Sequence, residues 1–282
     1  TGRKITQTSV NVPANISSQF ITSLLLIAGK LENGLVINLV GDVTSRSYIE
    51  MTLDILTRFG IQSSFEGNTI KVEPFTPDNN TEAVHYEVES DWSSASYFYS
   101  ICALGRKTIH LKSFYKESTQ GDSAIASIYE KFFGIKTTFS EDEHQLTLEP
   151  QQDFSFPEKI MLDMNDCPDI AQTLCVTAAA LKIPFEISGL GTLRVKETDR
   201  LLALYNELKK LGTETEITDL TIQSISFGEA EDDISIKTYQ DHRMAMSFAP
   251  FCLIKELNIE DEDVVEKSYP MFWEDLESIL TH

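Results

Sequence analysis

The sequence has few cysteines and few basic residues, and it has no long apolar run. Only four of its 282 residues are cysteines, and 23 Lys and Arg oppose 44 Asp and Glu, for a formal net charge of −21. The cysteines show no CxxC spacing and lie inside apolar runs, which favours buried thiols over a zinc site or a disulfide framework. We therefore expect a reducing compartment, by default the cytoplasm, and no metal site.

The excess of acidic residues limits the partners that the chain is expected to bind. Its charge repels nucleic-acid phosphates and anionic membrane surfaces, so neither is an expected partner. An anionic substrate would require the scarce cations to converge on one cleft, because the average field of the protein repels it. Each cluster of Lys and Arg therefore indicates a candidate binding site for an anion.

The sequence predicts no membrane-spanning helix. Its most apolar stretch, residues 20–31, includes Thr22 and Lys30 and is too short to cross a bilayer. No signal peptide is recognised at the start, and Thr1 leads directly into strand-like sequence, so we expect the N-terminus to be a cut end.

A supersecondary unit recurs along the chain at a spacing of about 75 residues. Each copy opens with a helix, continues with a strand and a second helix, and ends in two strands. The copies begin near Ser17, Ser93, Pro168 and His242, and the last copy is incomplete. A single βαβαββ unit cannot cover its own helices, so the repetition predicts α/β units stacked around shared cores.

The ends of the copies and the domain boundary have local signals. Gly60, Gly134 and Gly212 each follow the predicted second helix, where a left-handed C-cap is expected. Residues 74–81 are rich in Pro, Asp and Asn and predict a loop. We expect the boundary near Glu89, which gives a domain at residues 1–88 and a second domain at 89–282.

The segment RVKETDR, residues 194–200, places three cations and two carboxylates where an apolar run begins. On a helix starting near Glu197, Lys196 and Arg200 would share a face, at a cost of roughly 0.2–0.5 kcal/mol that an anionic ligand would remove. Glu197 would be held against the guanidinium with one oxygen free for proton transfer. The alternative is a solvated charged face at a helix start.

Other polar residues stand at predicted helix starts, where backbone N–H groups favour anions. Ser17, Ser18 and Ser45 are candidate donors to an anion, although such serines are more often N-caps. Asp169 follows Pro168 and is an N-cap by default, yet a carboxylate there can accept a proton from a bound hydroxyl.

Two further clusters carry cations. Asp241, His242 and Arg243 immediately precede an apolar helix, and Lys267 is placed at a strand end, where a lone lysine is usually solvated. The pair Gly189 and Gly191 does not complete a dinucleotide-binding motif, and no Walker-type loop occurs.

Five segments occur in an order and at spacings that resemble the 5-enolpyruvylshikimate-3-phosphate synthase family, also called 3-phosphoshikimate 1-carboxyvinyltransferases. They are SSQF at 17–20, DWSSASY at 91–97, PD at 168–169, RVKETDR at 194–200 and DHRMAM at 241–246. The resemblance covers essentially the whole chain, and the last two segments are the most specific.

The resemblance implies a fold and an activity. The fold is that of the enolpyruvyl transferases, two domains of three repeated units each with the active site in the cleft, so the first domain here would be reduced to one unit. The activity is transfer of the enolpyruvyl group of phosphoenolpyruvate to the 5-hydroxyl of shikimate 3-phosphate, in chorismate and aromatic amino acid biosynthesis. It implies two small-molecule substrates, no cofactor and a monomer.

The resemblance also implies roles for individual residues. Shikimate 3-phosphate would be bound by Ser17, Ser18, Gln19, Ser45, Asp169 and Lys196. Phosphoenolpyruvate would be bound by Gln19, Arg200, Arg243 and Lys267. Glu197 would give and later remove the methylene proton, Asp169 would orient the hydroxyl and help to take its proton, and His242 would be a hydrogen-bonding support.

The chain departs from the family pattern in two respects. The family has more than a hundred residues before the position of Thr1, including a lysine that bridges both substrates, and we expect this chain to be inactive alone. Thr192 stands where relatives often have asparagine. The alternatives are a noncatalytic fragment that binds shikimate 3-phosphate and an enolpyruvyl transferase acting on UDP-N-acetylglucosamine, which the segments RVKETDR and DHRMAM fit less well.

Overall fold

A computed structural model describes residues 4–14, 18–77, 83–140 and 144–281 of the chain. Its contacts divide the chain into two compact units, each with its own hydrophobic core. The first comprises Thr1–Val88 and Thr119–Gly121, and the second comprises Glu89–Ser118 and Asp122–His282. The assignment of residues 1–88 and 89–282 to two domains of a family fold stays a prediction.

The first unit is one α/β layer pair. Its elements are β1 (Ser9–Pro13), α1 (Ser18–Ala28), β2 (Leu35–Val40), α2 (Arg46–Arg58), β3 (Ser63–Glu66) and β4 (Thr69–Val72). The strands form one sheet in the order β1-β2-β4-β3, in which β1 and β2 are parallel and the other pairs are antiparallel. On α1, Ile21, Leu25 and Ala28 are four and three residues apart and form the buried face of the helix.

The second unit contains the remaining helices and strands that the structure describes. Its first part contains α3 (Trp92–Gly105), β5 (Ile109–Lys112), α4 (Ile125–Phe133), β6 (Ile135–Ser140) and β7 (Gln145–Pro150). Its middle part contains β8 (Ile160–Asp163), α5 (Ala171–Ala180), β9 (Phe185–Ser188), α6 (Arg200–Lys210), β10 (Thr213–Ile217) and β11 (Ile222–Phe227). Its last part contains β12 (Ile234–Ile236), α7 (His242–Phe248), β13 (Leu257–Ile259) and α8 (Phe272–Thr281).

The sheet topology repeats between the copies. The order β8-β9-β11-β10 reproduces β1-β2-β4-β3, again with one parallel pair followed by two antiparallel pairs. The middle copy has the order β5-β7-β6 in three antiparallel strands within the described ranges. These matching orders confirm the predicted repeated α/β unit.

The first helix of each copy in the second unit lies in the interior. Nearly every side chain of α3 and α5 is buried, so these helices are apolar or small on all sides, not on one stripe. Their buried hydroxyls pair with one another where α3, α5 and α7 meet: Thr173 lies 3.0 Å from Ser96 and 3.1 Å from Ser247. These contacts join the first turns of α3 and α5 to the end of α7.

The predicted glycine caps are confirmed. Gly60, Gly134 and Gly212 adopt φ angles of 82°, 65° and 80°, the left-handed region in which glycine has no steric penalty. At Gly134 an added Cβ would also lie 2.2 Å from Cγ of Phe154. Glycine at this position therefore serves both the turn and the packing behind it.

The helix that was predicted to start near Glu197 begins at Arg200. Asp199 accepts a hydrogen bond from the Leu202 N–H at 3.0 Å and so caps α6, while Lys196 has extended backbone after a short 3-10 helix, Gly191–Val195. The prediction that Lys196 and Arg200 share a helix face is therefore wrong. The reason is that the Asp199 carboxylate, which Arg194 holds at 2.7 Å, is the group that satisfies the free N–H groups of the helix.

The placement of Lys267 at a strand end is also wrong. Lys267 ends a 3-10 helix, Glu262–Lys267, in which Val265 is buried. A six-residue 3-10 helix with one buried apolar residue can resemble a short strand in sequence, because so few apolar positions show no clear repeat.

Candidate active site

A partly buried carboxylate, that of Asp169, stands at the centre of a cluster of cations in the second unit. Asp169 Oδ1 lies 3.1 Å from Lys196 Nζ and 3.0 Å from Arg200 Nη1, and its Oδ2 lies 3.4 Å from Arg243 Nη2. The three cations come from the loop before α6, from its first residue and from the start of α7. Cations from two segments of the chain, residues 194–200 and the start of α7, thus meet at one carboxylate from a third.

Asp169 does not cap a helix, so that default interpretation is wrong. It lies in a short 3-10 helix, Pro168–Ile170, before α5, and its carboxylate faces the cations. Burial alone would raise the pKa of Asp169, but Arg243, Lys196 and Arg200 outweigh burial and lower the pKa to about 2. The group is ionised at neutral pH and is a weak base while these cations surround it.

Arg200 is the most completely engaged cation. Its side chain is 2% exposed and contacts three carboxylates, with Nε 2.6 Å from Asp241, Nη2 2.7 Å from Glu197 and Nη1 3.0 Å from Asp169. The planar guanidinium is the side chain whose five donors can satisfy three partners at once. Arg200 therefore holds the three carboxylates at fixed positions around it.

Glu197 lies between two cations. Oε2 accepts from Arg200, and Oε1 lies 3.5 Å from Lys267 Nζ at a more exposed position. Burial would raise the pKa of Glu197, but Arg200, together with a backbone hydrogen bond and Lys267, holds it below its usual range. The expected contact of one oxygen with the guanidinium is present, whereas the second oxygen, which was expected to be free, is paired with Lys267.

Asp241 is the N-cap residue of α7. Its carboxylate is fully buried and accepts from the Arg243 N–H at 2.9 Å, which caps the helix, and it also binds Arg200. His242 is buried beside it, and its Nδ1 has no hydrogen-bond partner among the residues that the structure describes. Burial, followed by Arg243, lowers the pKa of His242 to about 4, so the imidazole is neutral at pH 7.

Arg243 reaches a second group of residues. Besides Asp169, it donates to Ser93 Oγ at 3.3 Å, and the Ser93 hydroxyl donates in turn to the buried carboxylate of Asp122. Ser93 stands in the DWSSASY segment but was given no role from sequence. Asp122 was not singled out, because a lone aspartate in a polar stretch has no signal of its own.

A cavity of about 340 Å³ adjoins the start of α3. Its wall includes Asp91, Ser94 and Lys112, together with Ser268 and Tyr269, which follow Lys267 directly in the chain. Its lining is mixed, with polar groups at the helix start and apolar side chains deeper in. It is the kind of concave space in which a small polar molecule can be held.

The predicted residues of the first unit are described separately. Ser17 lies outside the described residues. Ser18 is the first residue of α1, and Gln19 follows it on an exposed position. Ser45 precedes α2 with a left-handed φ of 50°, and within the described ranges its side chain makes no capping hydrogen bond. The substrate roles of these residues stay predictions.

The sequence of the chain also matches the model of a known protein family. The model of EPSP synthase (3-phosphoshikimate 1-carboxyvinyltransferase) matches residues 2–276. The chain belongs to the EPSP synthase family. Its relatives in that family include 3-phosphoshikimate 1-carboxyvinyltransferases of Bacteroides fragilis, 39% identical over 280 residues, and of Methanospirillum hungatei, 36% identical over 270 residues. These matches cover 98% and 95% of this chain but 66% and 61% of the relatives, so the chain spans about two-thirds of their length.

Solved structures show the same fold. EPSP synthase from Acinetobacter baumannii superposes with a TM-score of 0.65 at 20% identity, over 94% of this chain and 61% of that one. The enolpyruvyl transferase NikO from Streptomyces tendae superposes with a TM-score of 0.71 at 12% identity, over 99% and 65%. The enolpyruvyl transferase-like fold that was predicted for this EPSP synthase family member is confirmed.

The structure adds two observations on the described residues alone. Within residues 4–14, 18–77, 83–140 and 144–281, no three His, Cys, Asp or Glu side chains are grouped so as to hold a metal ion. In the same ranges no helix combines the length and apolar character that crossing a membrane requires. Cys102, Cys167 and Cys175 are buried, as predicted, whereas Cys252 is only partly buried.

Proposed function

We propose that the chain takes part in transferring the enolpyruvyl group of phosphoenolpyruvate to the 5-hydroxyl of shikimate 3-phosphate, with release of phosphate. The observation that carries this proposal is the convergence of Lys196, Arg200 and Arg243 on one partly buried carboxylate in a member of the EPSP synthase family. Both substrates are phosphorylated anions, and such clustered cations are the groups that bind them in a chain of net charge −21.

The cations differ in their capacity to bind a ligand. Arg243 contacts Asp169 and Ser93 only at 3.3–3.4 Å, and Lys267 is half-exposed, so both can turn to a phosphate or carboxylate at little cost. Arg200 is held by three carboxylates, and its main effect is to orient them. Its two Nη atoms contact Asp169 and Glu197, the carboxylates proposed to take part in the reaction. In this proposal Arg200, Arg243 and Lys267 bind phosphoenolpyruvate, and Lys196 with Asp169 binds shikimate 3-phosphate.

The chemistry needs one acid and one base. A proton from Glu197 adds to the methylene carbon of phosphoenolpyruvate, the 5-hydroxyl oxygen bonds to C2, and Asp169 helps to take the hydroxyl proton. The tetrahedral adduct then breaks its bond from C2 to the phosphate oxygen. Phosphate leaves with the electron pair and takes up the proton that Asp169 accepted, and Glu197 removes a methyl proton to restore the double bond. No atom changes oxidation state overall, so the proposal includes no cofactor.

Substrate binding would itself adjust the acid and the base. The same cations that lower the pKa values of Asp169 and Glu197 would be engaged by substrate phosphate and carboxylate groups. The added negative charge raises both pKa values, which makes Asp169 a better base and allows Glu197 to carry a proton. The neutral His242 then serves as a hydrogen-bonding support and adds no further cation.

Calorimetric titration of the folded chain tests this proposal. We expect saturable binding of shikimate 3-phosphate that tightens when phosphoenolpyruvate is present, and Lys196→Met should weaken it at least tenfold. Lys159→Met is a matched control, because Lys159 pairs with the partly exposed Glu186 on the same unit, away from the cation cluster. A folded chain that binds neither substrate would contradict the proposal.

The same titration separates the alternatives. Binding of UDP-N-acetylglucosamine in place of shikimate 3-phosphate would assign the chain to the other enolpyruvyl transferase reaction. Mass-spectrometric detection of 5-enolpyruvylshikimate 3-phosphate, together with phosphate release, measures turnover by the 282 residues. Binding without product would support the prediction that the chain is inactive alone, as in a noncatalytic fragment.

A further inference from the structure

The four residues before α7 form a turn with an unusual backbone. The Asp241 N–H donates to the Thr238 carbonyl at 2.9 Å, and between them Tyr239 and Gln240 have φ angles of 54° and 60°. Two successive left-handed residues define a type I′ turn, a geometry that favours Gly and Asn and costs free energy for other side chains. Such strain persists only where the surroundings hold the turn, and it is concentrated at functional sites.

The turn is held by a buried carboxylate of α6. Glu207 is 1% exposed, and its Oε1 accepts from the Tyr239 hydroxyl at 2.7 Å. Its Oε2 accepts from the Lys237 N–H at 3.0 Å and from Lys210 Nζ at 2.6 Å. Both oxygens of this carboxylate are therefore engaged, and two of the three donors belong to the strand end and turn that lead into α7.

Glu207 and Arg200 act on the same segment from one helix. They are seven residues apart on α6, which is close to two turns and about 10 Å along the axis, so both face the same side. Glu207 binds the segment at Lys237 and Tyr239, and Arg200 binds it at Asp241. An anion and a cation on one helix face thus hold the two ends of residues 237–241.

We propose that Glu207 and Tyr239 are positioning residues whose hydrogen bond holds the turn 238–241 in its left-handed geometry. Through this turn they place the Asp241 carboxylate against Arg200 and at the start of α7. Both act on the site through this turn, so their effect on it is indirect. The expected effect on substrate binding rests on the proposed function, and the positioning role itself does not.

The turn also has a second tether. Gln240 Nε2 donates to Asp261 Oδ2 at 3.3 Å, and Asp261 immediately precedes the 3-10 helix that carries Lys267. The turn therefore lies between α6, which carries Arg200, and the segment that carries Lys267. A change in its geometry would move Asp241, His242 and Arg243 together relative to both.

The titration of His242 provides a readout that needs no substrate. Its imidazole faces Asp241, Arg243, Glu197 and Lys267, and burial is the main cause of its low pKa. In the chain labelled with ¹⁵N-histidine, we expect Tyr239→Phe to raise the His242 pKa by about half a unit or more, because a loosened turn admits water. Glu207→Gln should shift it further in the same direction, and a His242→Asn variant assigns the signal.

A matched control and a rescue variant make the test specific. Tyr205→Phe removes a hydroxyl from the same helix, where Tyr205 makes no hydrogen bond within the described part of the chain, and should leave the His242 titration unchanged. Gln240→Asn favours the left-handed backbone at one turn position and keeps a side-chain amide, so adding it to Tyr239→Phe should return the titration toward the parent value. Folding of each variant is checked by circular dichroism.

Two outcomes would overturn the inference. One is a folded Tyr239→Phe chain in which His242 titrates as in the parent, and the other is an altered titration that Gln240→Asn does not correct. The substrate arm is separate: Tyr239→Phe should raise the Kd for phosphoenolpyruvate about fivefold. If the parent chain binds no substrate while the variants still shift His242, the proposed function fails and the positioning role stands.

Discussion

Arg200 shows how a single residue can organise the candidate site. It is nearly inaccessible to solvent, yet three carboxylates lie within 3.0 Å of its guanidinium nitrogens. A buried charge of this kind persists only when every donor is satisfied, and loss of its geometry removes the one cation that the three acids share. The sequence shows the cation and its neighbour Glu197, but the partners 31 and 41 residues away are set by the fold.

Replacing this arginine tests that interpretation. Arg200→Lys keeps the charge but loses the planar fork, so at least one carboxylate is left unpaired, and we expect a loss of about 3–5 kcal/mol in the free energy of unfolding. Urea denaturation measures the change. Arg58→Lys is the control, because its pair with Asp54 is exposed and should change stability by less than about 0.5 kcal/mol. Equal effects of the two substitutions would contradict the central role of Arg200.

Glu197 gives a prediction on turnover. Glu197→Gln keeps the shape and the contact with Arg200 but cannot exchange a proton, so substrate binding should remain while kcat falls about 100-fold or more. Steady-state assays of the active form of the protein measure both quantities. Glu186→Gln, on an exposed pair with Lys159, serves as the control. Near-normal kcat in the Glu197 variant would remove this residue from the proposed mechanism.

At the scale of elements, the sequence predicted the repeat well and some helix starts poorly. Strand β9 and the ends of α2, α4 and α6 follow from apolar runs bounded by glycine, since these signals are local. The start of α6 was misplaced because Lys196 and Glu197 fit a helix by propensity, whereas the Asp199 cap decides the boundary. Lys267 was misplaced because a six-residue 3-10 helix is too short to show a repeat of apolar residues in the sequence.

Gly134 tests whether turn geometry or packing dominates at a helix end. An added Cβ would both enter the left-handed region and meet Phe154, so Gly134→Ala should destabilise the second unit by roughly 2–3 kcal/mol. Gly134→Asn separates the two causes, because asparagine tolerates the backbone angle but also carries a Cβ. Thermal unfolding of both variants provides the comparison. A mild effect of asparagine would show that packing against Phe154 is unimportant.

At the scale of the whole chain, the charge distribution separates what could be predicted from what could not. A net charge of −21 indicated that clustered cations have a function, and the structure brings Lys196, Arg200 and Arg243 together as that reasoning requires. The same reasoning could not identify Ser93, Asp122 or Glu207, because their environments arise from contacts between distant segments. Their partners lie 29 to 32 residues away in the chain.

The dependence of folding stability on pH is a property of the whole molecule. Two opposing effects contribute to it and can be separated. As pH falls from 7, protonation of the many surface acids reduces self-repulsion and stabilises the folded chain. His242 acts in the opposite direction, because its pKa is about 4 when folded against 6.5 for an unperturbed histidine, so the unfolded chain binds a proton first. Its contribution is complete above pH 6.5 and is lost as pH falls towards 4, by up to roughly 2–3 kcal/mol after allowance for solvent screening.

Comparison of two variants isolates this contribution. Denaturant unfolding at pH 7, 5.5 and 4 should show His242→Gln becoming progressively more stable relative to the parent as pH falls, because glutamine has no proton to gain on unfolding. His110→Gln, at an exposed position in β5, should follow the parent at each pH. Asp169, whose pKa is about 2, begins to add a loss from about pH 5 downward, but this loss is common to the parent and His242→Gln and cancels in the comparison. A constant stability difference between parent and His242→Gln across the three pH values would mean that His242 is solvated and titrates normally.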